Sequence, residues 1–317
     1  MHGGETNLGR RIFAISVAFF LILGLFFTVS GCFQGETPET PSGKQLTVRD
    51  DSGNLLVISK EPQRIVSLTP SNTEILFALG LEDRLVGVTT YCDYPPEAKQ
   101  KPKVGDLNPS VEKIVELDPD LVVAKKTLNA DTIAALRKLG IPVLCVEPES
   151  IEGVFRAIRL IARVTGTEKT GEALIREIRK QLDFVKEKLA TLAPEERVKV
   201  FIEVGNEPLY TAGKNTYVDE LVTLAGGINV AADVEGYQMY SSESVVEKNP
   251  DVILALDSYY VDVQSDISKR PGWEKIKAVQ EGRIICPKDP DLLNRPGPRA
   301  GQAVEEVARS LYPGLFQ

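Results

Sequence analysis

The hydrophobic positions of this chain come in short blocks, and one block is spelled twice. Residues 112–124 read EKIVELDPDLVVA and residues 243–255 read ESVVEKNPDVILA, a separation of 131 residues. In each copy apolar residues at helical spacing run into Asp/Asn-Pro-Asp, and four apolar residues follow. Proline has no backbone N–H and pushes the preceding residue out of the helix, so the pattern predicts a helical turn, a stop and a buried strand. The period is far too long for a solenoid, whose units are roughly 20–50 residues. It predicts two similar α/β lobes.

Around these copies the pattern predicts a hairpin over 46–59, turning at Asp51-Ser52-Gly53-Asn54, and a buried strand over 64–68. Thr69-Pro70-Ser71-Asn72-Thr73-Glu74 opens a helix that stops at Gly80. A strand at 85–88 leads into the loop 89–96, a helix is expected at 110–117 and another at 129–139, with strands at 121–124 and 141–146. Two long helical patterns follow, 151–164 and 168–192, the second with Leu174, Ile175, Ile178, Leu182, Val185 and Leu189 on one face. The second half then repeats the first, with strand 198–204, helix 217–224, a loop 233–240, the second copy of the motif, a helix near 273–279, strand 283–286, loop 287–299 and helix 300–311. Alternating strands and helices with short connections imply mostly parallel sheets with right-handed crossovers. The expected fold class is α/β: two similar lobes with mostly parallel sheets joined by one long rigid helix. The corresponding boundaries are 46–165 for the N-terminal lobe, 166–194 for the connecting helix and 195–317 for the C-terminal lobe.

The amino terminus changes the picture of where the protein works. Arg10 and Arg11 precede an unbroken apolar run from 12 to 29, then Ser30-Gly31-Cys32. This is the layout of an export signal over residues 1–31, and its ending resembles a lipoprotein signal, with Cys32 as the lipidated first residue. Residues 32–45, rich in Gly, Thr, Pro and Ser, read as a flexible tether. The alternative is an uncleaved anchor, since eighteen apolar residues approach the length of a membrane span; either way the body is extracytoplasmic and beside a membrane, and the lipid-anchored form is the one expected. Cys92, Cys145 and Cys286 remain. Their number is odd and no pairing follows; Cys145 and Cys286 lie in apolar strand-like runs and read as small buried fillers.

Composition mainly excludes. The formal charge of −8 comes with no basic block, which argues against nucleic acid as a partner. The only histidine is His2, ahead of the apolar run. A His-containing catalytic triad or a His-rich metal site is therefore absent from the folded body, and no enzyme, catalytic residue, metal site or cofactor is expected.

Ligands of open α/β sheets bind at the carboxyl ends of strands. Pro70, Ser71 and Asn72 fall there, at a helix start whose free N–H groups point outward. So do Tyr91 and Tyr94, then Tyr237 in the corresponding loop of the second half, and the segment Asp291 to Arg295. Aromatic, amide and hydroxyl groups with few charges suit a large, partly apolar molecule held by stacking and hydrogen bonds.

The segments RIVSLTPSNTE (64–74), YCDYPP (91–96), the first motif, TYVDEL (216–221) and NRPGPR (294–299) resemble the substrate-binding proteins of ABC importers for cobalamin, siderophores and haem. The similarity spans about 64–312 and is greatest to the cobalamin-binding members. It implies a helical-backbone receptor for metal chelates, with the ligand against Tyr91, Leu107, Tyr237, Asp291 and Arg295. Leu107 and Tyr237 stand where cobalamin binders often carry tryptophan, so a modified corrinoid, haem or a ferric siderophore stays open as cargo. The resemblance also implies docking of Glu112 and Glu243, one per lobe, on an ABC permease dimer with its ATPase subunits. The repeat reaches the same pair by itself, since equivalent points on two similar lobes can meet a two-fold partner equivalently.

Overall fold

The computed structural model describes residues 45–257 and 262–317. Residues 1–44, with the expected signal, most of the tether and Cys32, lie outside the described residues. Among the described residues no helix is long and apolar enough to cross a membrane.

The hairpin is β1 (Leu46–Arg49) and β2 (Leu55–Ile58), antiparallel and alternating in burial, so one face packs and the other meets solvent. Its turn is pinned to the first lobe by Asp50, whose carboxylate accepts from Arg137 at 2.9 Å and from the Cys145 N–H at 3.2 Å. The first sheet has β3 (Ile65–Ser67), β4 (Leu85–Val88), β5 (Leu121–Ala124) and β6 (Val143–Cys145), all parallel, in the order β4-β3-β5-β6. Its strands are buried on both faces, as parallel strands between helical layers must be. The connecting helices are α1 (Pro70–Ala78), α2 (Val111–Glu116) and α3 (Lys126–Lys138). The last starts three residues earlier than its apolar pattern suggests, with non-helical angles at Asn129.

Two long helices follow, α4 (Ile151–Thr165) and α5 (Glu168–Lys188), the latter extended by a 3-10 turn at Leu189–Thr191. Gly171 lets them touch: a Cβ there would stand 2.8 Å from Ala162 Cβ. Their apolar stripes join one continuous core that runs from the hairpin and first sheet into the second lobe.

The second sheet comprises β7 (Lys199–Gly205), β8 (Tyr210–Ala212), β9 (Ile228–Asn229), β10 (Tyr237–Met239), β11 (Val252–Ala255) and β12 (Ile284–Ile285). The main path runs β10-β8-β7-β11-β12, with β9 also on β7. Here the structure corrects the expectation of closely matching halves. β8 is antiparallel to both β7 and β10, whereas every pair in the first sheet is parallel. Tyr237 consequently lies on an edge strand and not in a loop. Three exposed side chains on that strand leave no alternating apolar signal to read. Around this sheet stand α6 (Tyr217–Leu224), α7 (Ser242–Lys248), α8 (Val263–Lys269), α9 (Lys277–Gln280), α10 (Asp291–Asn294) and α11 (Ala300–Leu311). Cys145 is buried as expected, but Cys286 is exposed, because β12 ends one residue before it.

The two motif copies fold alike to the level of single bonds. Asp118 and Asn249 both take positive φ, 45° and 46°. Asp120 accepts from the Arg64 N–H at 2.8 Å, and Asp251 from the Lys199 N–H at 2.8 Å. Each aspartate thus ties its motif to the start of the neighbouring central strand.

Candidate cleft between the lobes

The carboxyl ends of β3, β4 and β5 open on one cavity of about 290 Å³, closed on the other side by the α10 segment of the second lobe. Pro70, Ser71, Tyr91, Leu107, Asp291 and Arg295 line it. Tyr91 and Leu107 are half-exposed, at 50% and 57%, and leave a broad apolar rim. A cavity this size falls at the small end of ligand pockets, roughly 300–1,000 Å³, and its open mouth leaves a larger molecule free to project.

Two of the expected residues lie elsewhere. Asn72 points inward, fully buried, with its amide donating to the Val146 carbonyl at 3.4 Å. Tyr237 is 54% exposed on β10 and does not line the cavity. Burial first, and then the nearby Glu149 carboxylate, push its hydroxyl pKa up.

The cleft floor is braced by charge. Glu74 on α1 is buried, and Arg299 grips it through two bonds of 2.8 Å each. Arg299 also reaches Asp289 at 2.8 Å and lies over the Tyr94 ring at 3.9 Å from its centre. Arg295 donates to Asp93 at 2.8 Å and Asp291 at 2.5 Å. Burial raises the Glu74 pKa, against the pull of Arg299 and Arg295. At a second point, the first N–H of α4 donates to Glu220 of α6 at 2.7 Å, so a second-lobe carboxylate stabilises a first-lobe helix start.

The cavity also exposes residues that the sequence reading passes over. Thr69, Thr89, Lys125, Leu128 and Asn129 all line it. Lys125 directly follows the apolar run of β5, so the rule of strand ends could have found it. Asn129 stands at the start of the expected helix, where an asparagine reads as an ordinary cap and not as a cavity residue.

Outside the cleft, Glu112 and Glu243 occupy matching places in the first turns of α2 and α7. Both are exposed, and each accepts from its N-cap serine, Ser110 or Ser241, at 2.8 Å. Each has its pKa lowered, by its own backbone N–H first and by that serine second. The lowered values keep both points anionic well below neutral pH. Among the described residues no group of three or more His, Cys, Asp or Glu could hold a metal ion.

Residues 65–290 match the periplasmic binding protein family. Over 300 residues, 91% of this chain and 94% of the relative, the sequence is 40% identical to the uncharacterized ABC transporter substrate-binding lipoprotein YvrC of Bacillus subtilis. Among solved structures, the periplasmic heme-binding protein RhuT of Roseiflexus sp. RS-1, in apo form, superposes with a TM-score of 0.72 at 32% identity. That match covers 80% of this chain and 99% of the other. The periplasmic vitamin B12 binding protein BtuF of Vibrio cholerae superposes with a TM-score of 0.68 at 30% identity, over 81% of this chain and 99% of that one.

Proposed function

The chain belongs to the periplasmic binding protein family, the extracytoplasmic solute receptors of ABC importers, and we propose that it carries a corrinoid, cobalamin or a close relative. Family membership makes it a transport component and not a catalyst. The observation that carries the finer reading is the shape and chemistry of the cleft. A half-exposed tyrosine and a half-exposed leucine flank a polar floor that opens widely toward solvent. That arrangement suits a broad, flat, partly apolar molecule with polar substituents, pressed by one face on Tyr91 and Leu107. The likeness to a vitamin B12 binding protein supports it. The likeness to a heme-binding protein keeps haem as the second reading, since another flat macrocycle meets the same surfaces.

In this reading Pro70 and Ser71 set the floor, Asp291 and Arg295 the far wall, and Tyr237 an outer face. Asn72 holds the floor in place from beneath. Cys32 carries the lipid that keeps the receptor at the membrane, and Glu112 and Glu243 engage the two halves of the permease. The test is a calorimetric titration of the signal-less protein with cyanocobalamin, cobinamide, haemin and a ferric siderophore. Tightest binding of a corrinoid is expected; preference for haemin would replace the first reading with the second, and preference for the siderophore would overturn both.

A further inference from the structure

One wall of the cleft holds a set of polar groups with nothing in the protein to bind. Thr69 is 3% exposed, lines the cavity, and its hydroxyl has no hydrogen-bond partner. Ser71, 8% exposed, lines it too, and its hydroxyl is likewise unpartnered among the described residues. Asn129 is 4% exposed and lines the same cavity. Its carbonyl oxygen accepts from the Lys125 N–H at 3.1 Å, which fixes the amide orientation and leaves the NH₂ without a protein partner among the described residues. Buried polar groups are nearly always paired, so the orphaned Thr69 hydroxyl, beside two further groups that the protein leaves open toward the same cavity, points to a ligand.

The character of that ligand follows from what these groups offer. The Asn129 NH₂ can only donate, and the hydroxyls can donate. They stand at the start of α1, where Pro70 has no N–H and the N-cap Thr69 makes no side-chain cap. The first backbone donors of that helix, from Ser71 and Asn72, therefore face the same region with the positive end of the helix dipole. Lys125 adds a cation on the lining.

The opposing charges are few and mostly engaged. Asp291 is matched by Arg295, and Glu147, off the lining, lies 3.9 Å from the Lys125 ammonium, while Asp106 accepts from the Asn108 N–H and keeps its charge on the lining. We propose that Thr69, Ser71, Lys125 and Asn129 form a receptor for an oxyanion, a carboxylate or phosphate carried by the transported molecule. It rests on the reading of the cleft as the cargo site, and it selects cargo by an anionic side arm in addition to the flat ring.

The test pairs ligands that differ in that arm. Cyanocobalamin carries a phosphodiester that cobinamide lacks, and haemin carries carboxylates that its dimethyl ester lacks. Wild type, Lys125→Met and Thr69→Val are titrated with each. The last two hardly disturb folding, since Lys125 is partly exposed and valine keeps the shape of threonine. For the pair that binds, each variant should weaken the member bearing the anionic arm about tenfold or more and leave the member without it within about twofold, as expected for lost bonds to a charged group. Equal losses for both members, or none, would overturn the oxyanion receptor while leaving the cargo reading intact. Should neither pair bind wild type, the cargo reading fails, and inorganic phosphate decides the receptor alone. At matched ionic strength phosphate should then raise the Tm of wild type and not of Lys125→Met; an unmoved wild-type Tm overturns it.

Discussion

Arg299 and Glu74, 225 positions apart in the chain, join the two lobes by a two-bond fork, Nε to Oε2 and Nη2 to Oε1 at 2.8 Å each. Parallel bonds of this kind fix direction as well as distance. The fork lies beneath the cleft, and Arg295 makes a longer contact of 3.5 Å with the same carboxylate.

Removing one partner of a buried ion pair leaves the other charge stranded, at a cost of about 3–5 kcal/mol. Arg299→Met should therefore lower the urea midpoint strongly with little change in slope. Because Arg299 retains Asp289 when Glu74 is lost, Glu74→Gln should cost less than Arg299→Met. The reverse order would show that the fork is not the principal tie.

Domain motion should be small. The helix α5 runs 21 residues without an internal proline, and the Glu74–Arg299 and Glu220–Ile151 contacts tie the lobes at two further points. Bending such a helix breaks backbone hydrogen bonds for little return. Small-angle scattering should give the same radius of gyration with and without cyanocobalamin, within error. A decrease of several ångströms would mean hinge closure.

Much of this was legible because the sequence states it twice. The repeat announced two lobes, and the repeated aspartates, Asp120 and Asp251, do make the same bond in both. Within the second sheet the antiparallel strands escaped, because β8 and β10 are three residues long and the β10 side chains are all exposed, so β10 carries neither period nor burial to mark it. In the cleft, aromatic and hydroxyl residues at strand ends were visible as chemistry. Asn129 was not, since its role depends on a local break in helical angles and on a backbone bond to Lys125. Charge pairing across 225 positions, as between Glu74 and Arg299, has no local trace at all.

Acid should release one of the motif bonds. Burial tends to raise the Asp251 carboxyl, but the Lys199 N–H and the Lys277 ammonium outweigh it and hold the pKa below the ordinary 3.8. A lowered folded-state value means stability present above 3.8 and lost as pH falls through the folded value. The Tm difference between wild type and Asp251→Asn should accordingly be largest near neutral pH and shrink below that point. A difference constant with pH would show that the charge contributes nothing.

The aromatic rim should dominate affinity. Tyr91→Ala removes a stacking face of the cavity itself and should weaken cyanocobalamin binding about ten- to a hundredfold. Tyr237→Ala, outside the cavity wall, should cost less than about tenfold. Wild-type affinity in Tyr91→Ala would put the ligand elsewhere.

Glu112 and Glu243 are where a cargo receptor of this kind would meet a two-fold permease. Each sits in the first turn of a matching helix, is exposed, and is held by a matching serine. Exposed ion pairs contribute little singly, but reversing both charges sets like against like across an interface. The measurement is ATP hydrolysis by the reconstituted permease–ATPase complex, stimulated by cyanocobalamin-loaded receptor, for wild type and for the double variant Glu112→Lys/Glu243→Lys. Stimulation should vanish in the double variant while its affinity for cyanocobalamin stays at the wild-type value. Wild-type stimulation by the double variant would contradict the account.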